Sequence, residues 1–330
     1  MLTIAYLRRQ ACRRAVTTGV LGASFLAGSV QGQLVHFVDL DQAVEHADLI
    51  LIANVASCQV GAAIEFGGRP TQNCALTIDR VVKGHYAGKQ IRINFGSANL
   101  GNPAGPRLVM ATARGGEYNA IPTLPALLPV GDQSAVGSTP PEQVAQIIAN
   151  SLAPGALPVA DQLQAVRALT QLYLPASQSG LESVLSSGNL DLRMAAEDAL
   201  LQHGDAAAVP YAFADLEHDN GALAMSLGGM IKDPAALPTL LREVRSPLPG
   251  ARAAAASALG NIGSPLAIPA LARGLDDPAE NVRFQAMTAL ARITHEPWSP
   301  PRPPRYAAVE PLYLRFWREW LAEHPEPAKP

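Results

Sequence analysis

Residue types able to do chemistry are sparse in this sequence, and few of them stand at usable spacings. Cys58 and Cys74 have no histidine nearby, so together they supply only half of a tetrahedral zinc shell. In an oxidising compartment such a pair reads first as a disulfide, with free thiols as the alternative. The segment GSANLG, Gly96 to Gly101, has the glycine spacing that opens a phosphate loop. Asn102 and Pro103 stand where lysine and a hydroxyl residue should follow, so it reads as a turn. Neither a His-Glu-x-x-His zinc helix nor a Gly-x-Ser-x-Gly nucleophile elbow occurs. His203 and His218 fall near expected helix ends, where a surface role is the default. His36, His46 and His85 matter only if a carboxylate meets them in one pocket. The dipeptide His295-Glu296 precedes Pro297 and reads as a solvated helix end. Acid/base chemistry therefore has no evident seat, and no metal or cofactor is expected.

The elements that would position these groups begin with an N-terminal segment of another kind. Arg8, Arg9, Arg13 and Arg14 precede an uncharged run from Ala15 to Val30, with no acidic residue before it. That is the pattern of a secretory signal covering residues 1–32, cleaved after Gly32, with Val30 and Gly32 as the small residues. The Arg13-Arg14 pair also resembles a twin-arginine signal with an incomplete motif. The run is too short and too rich in Gly, Ser and Thr for a membrane span, which needs about 20 apolar residues. The whole chain has 25 basic and 28 acidic residues, a net charge of −3. Removing the signal takes four arginines and Cys12, leaving 21 basic against 28 acidic residues, a net charge of −7. A mildly acidic chain lacks the clustered Lys and Arg of a nucleic-acid binder. The expected location is the periplasm or the exterior.

After a helix-like stretch, DLDQAVEHADL, the pattern changes to ILIANVAS, CALTIDRVV, KQIRINF and RLVMATA, separated by Gly, Pro and Asn. These are short strands. Within residues 33–127 they suggest a small barrel or sandwich, best described as a small β-barrel/OB-like domain, because closure protects sheet edges. Cys58 ends the first strand and Cys74 begins the second. Residues 128–157 read as a linker with a helix: GDQSAVGSTPPEQ is polar, and PEQVAQIIANSLA is apolar on one face. Thr139, Pro140 and Glu142 supply the helix start.

Beyond that the chain repeats. LRMAAEDALLQHGDAAAVPYAFADL, GALAMSLGGMIKDPAALPTLLREV and ARAAAASALGNIGSPLAIPALARGL align, with a looser earlier copy in DQLQAVRALTQLYLPASQSGLESVL. Pro210, Pro238 and Pro269 are 28 and 31 residues apart, and Arg252 lies 31 before Arg283. A fixed period of this size means stacked helix pairs. Each first helix is dense in Ala, and each second helix carries its proline in the first turn, where a missing N–H is tolerated. One pair cannot bury its apolar stripe alone, so neighbours must cover it. After the Pro-rich crossing EPWSPPRPPR, the segment VEPLYLRFWREWLAEH puts Leu314, Trp317 and Leu321 on one helical face with Trp320 beside it. It reads as a cap, with Trp317 and Trp320 as packing residues.

These repeats resemble short HEAT-like repeats of the kind named after phycobilisome lyases, ALGNIGSPLAIPAL being the best match, over residues 158–294. The stretches ADLILIANV and ALTIDRVVKGHYAGKQIRI resemble an N-terminal β-barrel-like module of exported bacterial proteins, a resemblance that implies no activity. HEAT-like di-iron hydroxylases carry His-Glu dyads in their first helices. The matching positions here are Met194-Ala195, Ala253-Ala254 and Phe284-Gln285, so those ligands are missing. Bilin lyases act on a cytoplasmic partner, which an export signal argues against.

Solenoids bind along successive second helices. Alignment on the three prolines assigns Val209, Leu237, Ile268, Leu216, Val244 and Leu275 to the core. It assigns Tyr211, Asp215, Arg242, Glu243 and Arg273 to a candidate ladder on one exposed surface. The bland reading of the same ladder is a solvated face with local ion pairs. Arg193, Arg252 and Arg283, near Asp191 and Asp277, read as inter-repeat structural pairs.

The expectation is thus an α+β multidomain protein: a small β-barrel/OB-like domain, then an all-α HEAT-like solenoid over residues 158–296, then a crossing and capping helix over 297–330. Its expected function is a non-catalytic exported scaffold binding another protein or peptide. One alternative makes the β domain a ligand or peptide binder with the solenoid as spacer. Another is an unrecognised periplasmic enzyme.

Overall fold

The computed structural model describes residues 38–61, 71–96, 100, 103–123, 127–216, 222–301 and 305–325, with backbone alone at 222–225. The expected export signal, His36, His218 and most of GSANLG lie outside the described residues. A short helix, α1 (Leu40–His46), leads into β1 (Leu49–Val60), β2 (Gln72–Lys83), β3 (Gln90–Asn94), β4 (Arg107–Arg114), β5 (Glu117–Ala120) and β6 (Leu128–Pro129). Neighbouring strands run β1-β2-β3-β5-β4, and β1 pairs back onto β4, closing five strands into a barrel to which β6 adds. Strands β3 and β5 run parallel, while the other pairings are antiparallel. This is a small closed barrel of OB type. Register slips at Ile50/Leu51, Ile52/Ala53 and Val55/Ser57 bend β1 so that one strand can pair with both β2 and β4.

The unbroken apolar run Leu49–Ala53 lacks the alternation of a half-buried strand, and its burial explains why. Leu49, Leu51 and Ala53 point into the barrel with Leu76, Ile91, Ile93, Val109 and Ala111. Ile50 and Ile52 point outward with Leu108 and Met110, into a second core shared with the helices. Cys58 lies directly opposite Cys74 in the β1–β2 ladder, and the two form a disulfide. By loop-closure entropy it stabilises the hairpin arm by roughly 3 kcal/mol.

Residues 128–157, expected as a linker with a helix, do carry that helix, and much of the segment is packed into the core. Leu128 and Val130 are buried in the outer core. So are Val144, Ala145, Ile147 and Ile148 of α2 (Pro140–Asn150), packed with Ile50 and Ile52 of the barrel. A helix this short is held by its apolar face rather than by propensity, so that face must be covered. Linker character survives only before α2, where Val136 is 85% exposed. The start of α2 is as expected: the Thr139 hydroxyl accepts from the Glu142 N–H and the Glu142 carboxylate accepts from the Thr139 N–H.

Five helix pairs follow: α3 (Val159–Gln171) with α4 (Pro175–Val184), α5 (Leu190–Gln202) with α6 (Val209–Asp215), α7 (Ala222–Met230) with α8 (Leu237–Glu243), α9 (Pro249–Ile262) with α10 (Ile268–Gly274), and α11 (Glu280–Thr294) with α12 (Tyr306–Glu323). A 3₁₀ turn precedes each of α6, α8 and α10, and Pro210, Pro238 and Pro269 sit in the opening positions of those helices. First helices stack closely because their contact residues are small. A Cβ added to Gly260 of α9 would lie 2.7 Å from the Ala289 Cα of α11, and one added to Gly228 of α7 would lie 2.7 Å from the Ala254 carbonyl oxygen of α9.

The end of the array is closed by α12. Trp317 and Tyr306 are fully buried. The Trp317 indole N–H donates to the Trp298 carbonyl at 3.1 Å, and Trp298 stacks on Phe316 with ring centroids 4.3 Å apart. His295 takes a left-handed conformation that ends α11, while the Glu296 carboxylate accepts from the half-buried Trp320 indole at 3.2 Å. The lone His-Glu dipeptide therefore serves as helix terminator and cap anchor. Among the described residues no helix is long and apolar enough to cross a membrane.

Candidate binding surface of the solenoid

Two sets of arginines divide the solenoid by what their charges do. Arg193, Arg252 and Arg283 stand in the first turn of α5, α9 and α11 and make the same three-point clamp. Each grips a carboxylate through Nε and Nη2: Arg193 takes Asp215, Arg252 takes Asp277 and Arg283 takes Glu310. Each also donates Nη1 to the carbonyl six residues earlier, at Ser187, Ser246 and Asp277. The carboxylate grip ties the first helix to the second half of its own repeat, and the carbonyl bond ties it to the end of the repeat before. The Arg252–Asp277 pair has side chains only 13% and 10% exposed. The bonds from Asp277 and Glu310 hold the two guanidinium groups above their ordinary pKa. Burial pushes the Asp277 carboxyl up, but bonds from Arg252 and the Ala279 N–H outweigh it and leave the pKa lowered.

First helices are tied at their other ends too. Asn261 donates to the Gly228 carbonyl at 2.8 Å, Arg292 donates to the Asn261 side-chain oxygen at 2.7 Å, and the His203 ring contacts the Thr170 carbonyl at 2.8 Å while stacking on Tyr173. The arginines are structural as expected, but their ion pairs lie within one repeat rather than between repeats, and two partners differ: Arg283 takes Glu310, and Asp191 is not used. Arg193 pairs with Asp215, not Asp191, because α6 turns the Asp215 carboxylate back toward the start of α5.

That pairing also revises the candidate ladder. Asp215 is half-buried and spent on Arg193, so it does not belong to an open surface. Glu243 turns inward, its side chain 20% exposed, and touches Arg242 Nε at 3.3 Å. Position one after the proline is exposed at Tyr211, half-buried at Thr239 and buried at Ala270, so that row closes along the array. Tyr211, Arg242 and Arg273 remain open to solvent, at 39% for Tyr211 and 67% for the Arg242 side chain. The core rows are as expected: Val209, Leu216 and Leu275 are buried, and Leu237, Val244 and Ile268 pack against that core.

Arg245, in the turn that follows α8, is exposed and was not part of the expected ladder. Its signal was the seven-residue offset from Pro238, a position filled by Asp276 in the next repeat. Among the described residues the side chains of Arg245 and Arg273 make no hydrogen bond or ion pair.

A buried acid escaped sequence reasoning as well. Glu197, one turn after Arg193, is 5% exposed, and its Oε1 has no hydrogen-bond partner among the described residues. Burial first, then the facing Asp215 charge, push its carboxyl up to about 8, with Arg193 opposing. The aligned residues in later repeats are Ala256 and Met287, both buried, so composition alone hid the exception.

Among the described residues the histidines do not converge. His46 lines a shallow groove on the barrel with Gln42, Thr112, Arg114 and Asn119, which neither His85 nor a carboxylate lines. Among the described residues no three metal-ligating side chains cluster.

Fold and surface together define a β-barrel of OB type joined to a HEAT-like solenoid with a capped end. Residues 219–291 match the family model described as HEAT repeats. No curated protein matches the chain. Among solved structures, the complex of CpcE and CpcF of phycocyanin lyase from Nostoc sp. PCC7120 is similar, at 25% identity over 51% of this chain and 71% of that chain, with a TM-score of 0.35.

Proposed function

We propose that this chain is an exported, non-catalytic scaffold that binds another protein or peptide on the second-helix face of its solenoid. The observation that carries this reading is the exposure of Tyr211, Arg242 and Arg273 along successive second helices, while the arginines of the first helices are spent on packing. Repeats stacked in this way offer an extended surface suited to a partner's chain. Export rests on the arginine-led apolar run of residues 1–32 and accords with the Cys58–Cys74 disulfide, which belongs in an oxidising compartment.

The test is affinity capture from the exported fraction of the native cell, with the mature protein beside a variant carrying Tyr211→Ala, Arg242→Ala and Arg273→Ala, both checked for folding by circular dichroism. A partner retained by the first and lost by the second is the expected result. Equal capture by both baits would move the working surface elsewhere. The barrel groove at His46 and Arg114 favours a second reading, in which the β domain binds and the solenoid is a spacer. A bait carrying His46→Ala and Arg114→Glu would then lose the partner instead.

A further inference from the structure

We infer that the solenoid face recognises an acidic, extended segment of its partner through Arg242, Arg245 and Arg273. This deepens the proposed function and rests on it. The chain carries a net charge of −3, yet Arg242 and Arg273 are exposed at the same position of two consecutive second helices and Arg245 is exposed in the turn that follows the first of them. The acids interleaved with them are muted. Glu243 is turned inward beside Arg242, and the Asp276 carboxylate is held at 2.6 Å by Arg318 of the cap. The remaining charge is positive.

Geometry favours an extended chain. Arg242 and Arg273 occupy the same position on the second helices of neighbouring repeats, so one partner chain laid across those helices can meet both. An extended peptide advances about 3.3 Å per residue, so carboxylates spaced along it can meet successive guanidinium forks. Tyr211, on the preceding second helix, offers an exposed ring beyond the charged stretch. Nucleic acid is disfavoured because three arginines with two acids between them do not make the long basic track that phosphate backbones require.

The test uses the mature protein and three labelled probes: a glutamate-rich peptide, its glutamine counterpart and an oligothymidylate, followed by fluorescence anisotropy over a salt series. The glutamate peptide is expected to bind, to weaken as salt rises, and to lose about tenfold or more of its affinity in R242E/R273E. The glutamine peptide should not bind. Exposed Arg167 and Arg315 provide the control, since R167E/R315E makes the same charge change elsewhere and should leave binding intact. R242Q/R273Q serves if the reversal variant fails to fold, and should show a smaller loss in the same direction. No binding by the glutamate peptide, equal loss in the control, or tighter binding of the oligothymidylate would each overturn the inference. Capture from the native exported fraction separates the two levels. If the glutamate peptide fails while the alanine variant of Tyr211, Arg242 and Arg273 still loses the native partner, only the acidic assignment falls. If both baits hold the partner equally, the solenoid reading falls with it.

Discussion

The first-helix edge of the solenoid and its second-helix face use the same residue type for opposite ends. At the edge, Arg193, Arg252 and Arg283 are half-buried or deeper, doubly bonded to a carboxylate and bonded again to a carbonyl of the repeat before. On the face, Arg242, Arg245 and Arg273 reach into solvent. A buried arginine is tolerable only when its donors are satisfied, whereas an exposed one costs the fold almost nothing and keeps its donors for a ligand. The repeat formed by α7 and α8 sharpens this contrast. Aligned on Leu227 and Leu259, it has Asn220 where its neighbours have the clamp arginine, and its first helix has 9 residues against 14 in α9.

The largest effect should come from breaking a clamp. Arg252→Ala leaves Asp277 buried without its partner and should cost about 3–5 kcal/mol in urea unfolding. A loss below about 1 kcal/mol would mean the clamps are ornaments of packing. Replacing both partners, R252M/D277L, should recover most of that loss, because no buried charge is then stranded.

Next in size is the acid inside the first clamp. Glu197 holds its proton to about pH 8 in the folded chain, against an ordinary value of 4.5. Between those two values the folded state binds more protons than the unfolded, so stability falls as pH rises through the window. Glu197→Gln should remove that slope, gaining stability progressively as pH rises toward 8 and nothing near pH 4. Parallel stability–pH curves for the two proteins would place the carboxyl in water.

The neighbouring clamps respond at the other end of the scale. Asp277 and Glu310 are lowered below their ordinary values of 3.8 and 4.5, so their contribution is present above those values and disappears as pH falls through the folded-state pKa. The acid limb of the unfolding curve should therefore flatten in R252M/D277L. The smallest change belongs to the face: Arg242→Ala and Arg273→Ala should each shift stability by no more than about 0.5 kcal/mol, measured by the same urea titration. A larger loss from either would erase the distinction between edge and face.

Periodicity carried far in this chain. The 28- and 31-residue proline spacing marked the repeats, the second-helix starts and the core rows, because each follows from local helix geometry and the need to cover an apolar stripe. The capping box at Thr139 and the buried Trp317 were legible for similar reasons. In residues 128–157 the helix itself was legible, but its packing against α4 and the barrel was not, because those partners are distant in sequence. The candidate ladder lost Asp215 because its arginine is 22 positions away, on a neighbouring helix.

Local order thus determined by itself which residues form strands, which form helix pairs and which sides of those helices are apolar. Tertiary structure alone decided that β1 pairs with both β2 and β4, that Glu197 is buried beside Asp215, and which carboxylate each clamp arginine takes. Hydrophobic periods follow from backbone geometry within a few residues, but the fate of a charge depends on whatever group long-range packing brings within about 4 Å of it.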